Sequence, residues 1–272
     1  MYHTKSMPVF IRTLAQDDIE PADRMLMRAF ATTDSFRWII EREFAIQPEY
    51  YWVSEEAGEI TGSVAAIRYG DIAYIGMMGV DPARQGRGIG RALLNTAIER
   101  LERDRCLTML LDATDAAEPL YRKSGFVDEG ASYDLRGVPA GASGDVVLIN
   151  DAAALVEFDA QVFGANRRHA IERLLAEPAA RCLQSDGGYL IAQQSVLGPW
   201  VAQDPATAEA LLALCRRQEW RVMMPAENKT GLLLLQQTGF QVRREVRHMR
   251  RGRPFPRDGR AITYGQASFA LG

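Results

Sequence analysis

Residues 80–90 read Val-Asp-Pro-Ala-Arg-Gln-Gly-Arg-Gly-Ile-Gly, a glycine-rich turn between two regular elements. The apolar run before it, Ile72–Val80, is typical of a strand, and apolar residues recur at helical spacing from Ile89 to Leu101 after it. Glycines at alternate positions let backbone N–H groups approach a ligand closely, and the first turn of a helix has four N–H groups without a partner in the helix. The turn therefore predicts an anion site, in physical terms a cradle for a diphosphate.

Polar side chains strengthen this prediction, because Gln85 adds an amide and Arg87 and Arg91 add positive charge. A turn that only connects two elements would not need three glycines, since each carries an entropic cost. The P-loop pattern G-x-x-x-x-G-K-[ST] is absent from the sequence. A dinucleotide-binding turn would begin at Gly86-x-Gly88 and use Asp112, but Arg91 stands where close helix–strand packing needs glycine or alanine.

The composition is that of a globular chain: of 272 residues, 47% are hydrophobic and 25% charged. The net charge of −3 gives no basic field for nucleic acid or an anionic membrane, so neither is expected as a partner. The three cysteines, Cys106, Cys182 and Cys215, form no C-x-x-C pair, and we expect no metal site and no disulfide framework. With no long apolar run and no signal-peptide core, the expected location is the cytoplasm.

A small, nearly uncharged stretch, Gly137-Val-Pro-Ala-Gly-Ala-Ser-Gly144, is typical of a linker. We therefore expect a first domain over residues 1–137, a linker over 138–144 and a second domain over 145–272. The patterns in the first half predict helices over 21–30, from 89 to 101 and over 118–123, a helix or loop over 38–44, and strands over 51–53, 59–69, 72–80 and 107–111. This order predicts a mixed α/β sheet.

The pattern Val80-x-Pro82-x-x-Gln85-Gly86-x-Gly88-x-Gly90 resembles the acetyl-CoA loop of the GCN5-related N-acetyltransferase (GNAT) superfamily. Downstream, Leu120-Tyr121-Arg-Lys-Ser-Gly125-Phe126 is similar to that family's second signature. Both occur in the family's order, and the resemblance covers roughly residues 8–136. It implies a sheet splayed between its fourth and fifth strands, with the pantetheine arm of acetyl-CoA in the splay.

The resemblance also implies which residues form the site. Met78 and Val80 would pair their backbone with pantetheine as a substitute strand. Thr114 stands where many relatives have an asparagine that bonds pantetheine, and Tyr121 matches a tyrosine near the thioester sulfur, where it would protonate the departing thiolate. The implied cofactor-binding residues are Met78, Gly79, Val80, Gln85, Gly86, Arg87, Gly88, Ile89, Gly90, Arg91, Thr114 and Tyr121.

The sequence does not identify which residue acts as the general base. Many relatives carry a glutamate on the strand before the loop, but here that strand reads Ile75-Gly-Met-Met78 and has no carboxylate. Glu41, Glu43 and Asp112 are candidates, and water that relays the proton to a distant carboxylate is an alternative.

The sequence pattern of the second half indicates a degenerate repeat of the first half. Leu234-Leu235-x-x-x-Gly239-Phe240 aligns with the second signature, which places Asn228 at the position of Thr114. Asp204-Pro205-Ala206 aligns with Asp81-Pro82-Ala83, but the five residues of the cradle are missing after it, and Leu235 replaces Tyr121. Two GNAT-like domains are therefore expected, each an α/β unit with a mixed, splayed, mainly antiparallel sheet flanked by helices, and only the first would bind the cofactor. Asp159 and Arg167 lie near the start of the second repeat. They would form a structural ion pair or bind a charged group of the acceptor.

We expect an acetyl-CoA-dependent N-acetyltransferase that acts by direct attack of a primary amine on the thioester. The acceptor would be a small molecule or amino-acid-like, and the second domain would shape the acceptor site or build a homodimer. The alternatives are a non-enzymatic acetyl-CoA sensor and a structural pseudo-enzyme that binds no cofactor.

Overall fold

The structure is a computed structural model that describes residues 9–139, 152–215 and 217–272. The chain forms two compact units that meet in sequence between Leu107 and Thr108. The linker predicted over 138–144 extends outside the described residues, and the domain limits at 137 and 145 stay a prediction.

The first unit is an antiparallel sheet with three helices. The strands follow the order β1-β2-β3-β4, and each pairs with the next along the chain. The elements are β1 Phe10–Thr13, α1 Ile19–Ala29, α2 Arg37–Ile46, β2 Tyr51–Glu56, β3 Glu59–Tyr69, β4 Ile72–Val80 and α3 Ile89–Arg103.

Two glycines show how the helices cover this sheet. A Cβ on Gly79 of β4 would lie 2.8 Å from Leu26 of α1, and a Cβ on Gly62 of β3 would lie 2.9 Å from Leu93 of α3. Gly79 pairs with Ser63, the neighbour of Gly62, so the two glycines face opposite sides of the sheet. The helices α1 and α3 therefore lie on opposite faces, and glycine permits the close approach of each.

The second unit is built on a longer, mostly antiparallel sheet. Its strands follow the order β5-β11-β6-β10-β9-β8-β7, and β12 pairs with β9. The elements are β5 Thr108–Ala113, α4 Glu118–Lys123, β6 Val127–Gly137, α5 Ala152–Phe163, α6 Arg168–Leu175, β7 Arg181–Ser185, β8 Gly188–Gln193, β9 Val196–Ala202, α7 Pro205–Ala213, β10 Trp220–Pro225, α8 Lys229–Gln237, β11 Gln241–Gly252 and β12 Thr263–Gly265.

The two copies exchange their last strands. In the alignment of the halves β6 corresponds to β11 and β5 to β10, yet β5 pairs with β11 and β10 pairs with β6. Thr108, the first residue of β5, lies opposite Gly252, the last of β11, and Trp220 of β10 lies opposite Gly137 of β6 in the same way. This reciprocal register supports the internal repeat, because equivalent strands occupy equivalent places.

The expected fold class is confirmed: the architecture is α/β, with open, mainly antiparallel sheet flanked by helices. The strands at 59–69 and 72–80 and the helix at 118–123 have the predicted limits. Four elements have other limits: the first helix spans Ile19–Ala29 rather than 21–30, the strand expected over 51–53 runs to Glu56, the helix expected to end at 101 runs to Arg103, and the strand expected over 107–111 spans Thr108–Ala113. The uncertain segment 38–44 is helical within α2.

Candidate functional site

The glycine-rich turn joins β4 to α3 through eight residues, Asp81–Gly88. Gly86 and Gly88 have φ values of +76° and +84°, in the left-handed region that glycine adopts readily. A Cβ at either position would meet no atom within 4 Å, so glycine is needed for the backbone conformation and the space above the turn is open. The residues Gln85–Gly88 are exposed, as the predicted cradle requires.

The helix that follows points its N-terminus at this turn. Gly88 is the N-cap of α3, and its carbonyl accepts the first helical hydrogen bond from Ala92 N at 3.0 Å. The N–H groups of residues 89–91 precede that bond and have no carbonyl four residues back in the helix to accept them. The positive end of the dipole of a 15-residue helix adds to this field.

Charged side chains surround the turn. Arg87 donates to the two carboxylate oxygens of Glu56 at 2.6 and 3.1 Å, and Arg84 Nε lies 3.0 Å from the same carboxylate. The hydrogen bond from Arg87 is the main reason why the pKa of Glu56 is lowered, so this carboxylate stays ionised. Arg91 is exposed on the first turn of α3. Arg84, Arg87 and Arg91 thus lie at the turn, and their role in binding an anion stays a prediction.

The strand before the turn contains a bulge. Met77 has φ +50°, unusual for a residue with a side chain, and the pairing of β3 with β4 shifts register between Ser63 and Ala65. Ser63 Oγ donates to the backbone oxygen of Met77 at 2.8 Å and holds this conformation. Met78 and Val80, the residues expected to pair with pantetheine, follow the bulge and are half-buried.

A buried carboxylate lies in the same unit. Glu43 of α2 is only 1% exposed, and Nη2 of Arg42 lies 3.9 Å from its Oε1. Burial raises the pKa of Glu43 to about 7, against the opposing charge of Arg42. The charge of Glu43 also contributes, after burial, to the raised pKa of Tyr51. Charged residues on a helix normally face solvent, so the burial of Glu43, which distinguishes it from the other candidate bases, is not predictable from the sequence.

The other two candidate bases have different surroundings. Glu41 is exposed and forms an ion pair with Arg37 at 2.8 Å. The side chain of Asp112 is buried in the second unit, where Ser132 Oγ donates to it at 2.8 Å and His248 Nδ1 lies 3.2 Å away. Burial lowers the pKa of His248, and Asp112 opposes this effect. Sequence reasoning missed His248 because it is 136 residues from Asp112 and reaches it only through the exchanged strand β11.

The second signature forms the short helix α4. The carbonyl of Thr114 accepts hydrogen bonds from Ala117 N and Glu118 N, both at 2.9 Å, and so starts the turn before this helix. Tyr121 is 5% exposed, and its ring meets Phe126 edge-on at 5.8 Å between centroids. Burial raises the pKa of Tyr121, which therefore stays protonated near neutral pH. The structure describes Thr114 and Tyr121 in the second unit and the cradle in the first, and their action on one thioester stays a prediction.

Comparison with known proteins identifies the fold family. One model of the acetyltransferase (GNAT) domain matches residues 47–128, and another matches residues 155–265. An N-alpha-acetyltransferase, RimI, from Mycobacterium tuberculosis is 31% identical over 126 residues, which are 44% of this chain and 78% of RimI.

The chain belongs to the GNAT acetyltransferase family.

Two further relatives extend the similarity over both GNAT domains. An uncharacterised N-acetyltransferase, YitH, from Bacillus subtilis is 24% identical over 214 residues, which are 71% of this chain and 75% of YitH. The crystal structure of a candidate acetyltransferase from Pyrococcus horikoshii is 27% identical, with a TM-score of 0.90 over 100% of this chain and 99% of that one. The expected tandem GNAT organisation and the N-acetyltransferase class of enzyme are confirmed.

In the second GNAT domain the cradle is missing. Only Gln203 and Asp204 join β9 to α7, where eight residues join β4 to α3. Asp204 caps α7 by accepting from Thr207 N at 2.9 Å, so the helix begins without a glycine turn. Leu235, at the position of Tyr121, is fully buried. No group of three or more potential metal ligands occurs among the described residues, and none of the described helices has the length and apolar character to cross a membrane.

The predicted contact of Asp159 with Arg167 is formed and buried. Arg167 Nε and Nη2 each donate to an oxygen of Asp159 at 2.8 Å, and Nη1 donates to the backbone oxygen of Gly272 at 2.6 Å. The hydroxyl of Tyr189 bonds the same carboxylate. These partners within the chain favour the structural interpretation over the reading of an acceptor's charge.

Proposed function

We propose that this GNAT chain transfers an acetyl group from acetyl-CoA to a primary amine of a small-molecule or amino-acid-like acceptor. The observation that supports it best is the Gln85–Arg91 turn. Two of its three glycines, Gly86 and Gly88, have left-handed backbone, the space above them is open, and the N-terminus of α3 points at the turn. These features fit the diphosphate of coenzyme A, because backbone N–H groups and a helix dipole together bind such anions.

The binding role divides among three groups of residues. The N–H groups of residues 86–91 would hold the diphosphate, while Gln85, Arg87 and Arg91 add hydrogen bonds and charge. Met78, Gly79 and Val80, after the bulge in β4, would pair with the pantetheine arm as a strand does. Thr114 would replace the family's asparagine with a shorter hydroxyl contact.

Acetyl-CoA supplies a thioester whose carbonyl the amine attacks, so that a C–N bond forms and the C–S bond breaks. Near neutral pH an alkylamine of pKa ~10.4 is mostly protonated, and a base must accept its proton. Among the three candidate bases we propose Glu43 as that acceptor, directly or through water, because it is buried in the first unit and burial raises its pKa to about 7. Tyr121 would donate a hydrogen bond to the developing thiolate, and its raised pKa keeps that proton available.

The choice of an amine acceptor is supported by the relatives. RimI is an N-alpha-acetyltransferase, and YitH carries the name of an N-acetyltransferase. Both act, by these names, on nitrogen, and we extend this to the present chain.

The pattern of its cysteines supports a cytoplasmic location, and we propose a homodimer as one use of the second domain.

Release of free thiol from acetyl-CoA, measured against a panel of primary amines, tests the proposed activity. We expect release that depends on both the amine and the protein. Binding of coenzyme A without release for any amine would favour the sensor, and absence of binding would favour a structural pseudo-enzyme.

A matched pair of variants then tests the cradle by calorimetry. Gly88→Glu should abolish binding of coenzyme A, because the side chain fills the open space and its charge repels the diphosphate. Gly70→Glu is the control, since Gly70 also has left-handed backbone (φ +70°) and open space around its Cβ position, but lies in the turn at the other end of β3 and β4. Unchanged affinity in Gly88→Glu would remove the cradle from the account.

A further inference from the structure

The strands β9 and β10 of the second GNAT domain separate soon after they meet. They run parallel and share one paired position, Val196 with Arg221, and Arg221 N donates to Ser195 O at 2.7 Å beside it. Parallel strands in register normally continue such bonds at even spacing. The remaining length of β9 and β10 therefore leaves an open slot.

The backbone of residues 263–266 occupies this slot. Thr263 pairs with Val201 and Gly265 pairs with Trp200 on β9, and Gln266 N donates to Met223 O of β10 at 2.5 Å. One short extended segment thus bonds to both strands, as an added strand does.

The contact is close along its length. A Cβ on Gly198 would overlap the backbone oxygen of Gln266, and a Cβ on Gly265 would lie 2.5 Å from Leu197 O. Tyr264 is buried, and its ring lies 5.2 Å from that of Trp200. Glycines at these positions permit a backbone-to-backbone approach that no larger residue would allow.

Two positions of the repeat identify what the segment replaces. Val201 precedes Asp204 by the same three residues as Met78 precedes Asp81, so Thr263 pairs with the counterpart of a residue expected to pair with pantetheine. Asn228, the counterpart of Thr114, donates from Nδ2 to Thr263 O at 3.1 Å. The counterparts of Met78 and Thr114 thus meet Thr263, the first by strand pairing and the second by a hydrogen bond to its backbone oxygen.

The far end of the segment is anchored. Arg167 is 4% exposed and donates to Gly272 O while it is paired with Asp159. The hydroxyl of Ser268 accepts from Ala270 N and Leu271 N, and Leu271 is fully buried. Residues 263–272 are therefore held at both ends.

We propose that residues 263–272 act as a built-in substitute for the pantetheine arm, so that the chain itself closes the ligand slot of the second GNAT domain. The identity of the absent ligand rests on the proposed function, whereas the closure rests on the contacts of residues 263–272 alone. A domain that has lost its diphosphate cradle keeps a slot with unpaired strand edges, and the segment satisfies those backbone groups.

Hydrogen–deuterium exchange on the full chain tests this closure. In the wild-type protein the amides of Gln266, Ala267 and Gly272 should exchange as slowly as those of the surrounding sheet, and millimolar coenzyme A should not speed them. Arg167→Met should accelerate exchange within 263–272 at least about tenfold relative to β8. Arg168→Met is the matched control, because the exposed Arg168 forms an ion pair with the exposed Glu172, and it should leave these rates unchanged.

Two results would overturn the closure: rates typical of free peptide in the wild-type segment, or acceleration of its exchange by coenzyme A. The first measurement needs no variant, so instability of Arg167→Met would not leave the proposal untested. A wild-type chain that binds no coenzyme A but protects the segment would refute the proposed function and keep the closure.

Discussion

Glu43 places an ionisable group where water cannot solvate it. Its oxygens are buried without a hydrogen-bond partner among the described residues, and burial raises its pKa to about 7. The charges and hydroxyls that interact with it are Arg42 on its own helix and Tyr51 on β2. In the unfolded chain the group ionises at a lower pH, so the folded state binds more protons between the two pKa values.

Stability should therefore fall as pH rises from about 4.5 to about 7, and Glu43→Gln should remove that dependence. At 1.36 kcal/mol per pKa unit, the wild-type chain should lose up to about 3 kcal/mol relative to Glu43→Gln across this range. Denaturant unfolding at several pH values measures the difference. Glu41→Gln is the control, because Glu41 lies two residues away but is exposed and paired with Arg37. Parallel pH profiles for wild type and Glu43→Gln would contradict the assignment.

Tyr121 is expected to act through its hydroxyl, not its ring. Tyr121→Phe keeps the edge-on contact with Phe126 and should change stability by less than about 1 kcal/mol. The same change should lower kcat by ~10²–10⁴ if the hydroxyl assists departure of the thiol, with the affinity for coenzyme A nearly intact. Steady-state kinetics with calorimetry separates these effects, and unchanged turnover would reject the role.

At the scale of elements, local patterns determined the limits of strands and helices well. The strands at 59–69 and 72–80 are recognisable because Gly70, with φ +70°, supplies a turn between two apolar runs. The helix at 118–123 ends before Gly125, whose φ of +84° is that of a helix C′ glycine. The glycine-rich turn is recognisable for the same reason, since Gly86 and Gly88 have the left-handed backbone that glycine adopts most readily.

Pairing between strands that are far apart in sequence could not be predicted from such local patterns. The sequence of β11 does not identify its neighbours, and in the structure β11 lies between β5 and β6 of the first copy. The contact of His248 with Asp112 follows from that exchange, as does the burial of both side chains. The burial of Glu43 is a second feature that the sequence could not predict. The side on which α2 packs against its neighbours is decided by tertiary structure rather than by its own sequence.

At the scale of the whole molecule, the two GNAT domains share a fold but not the parts that bind a cofactor. The first has eight residues between β4 and α3, with left-handed glycines and an exposed turn. The second has two residues at that place, and its slot is filled by residues 263–272. Each change alone would weaken cofactor binding, and both lie in the same copy.

Calorimetric titration with coenzyme A should accordingly give one site per chain. The physical reason is that the second domain has no glycine turn before α7 to bind a diphosphate. The side chain of Asp204 already caps this helix by accepting from Thr207 N. Gly88→Glu should reduce the number of sites from one to none, and Gly70→Glu should leave it at one. Two sites per chain in the wild type would show that the second domain binds the cofactor in spite of its short connection, and one site remaining in Gly88→Glu would contradict the role of the cradle.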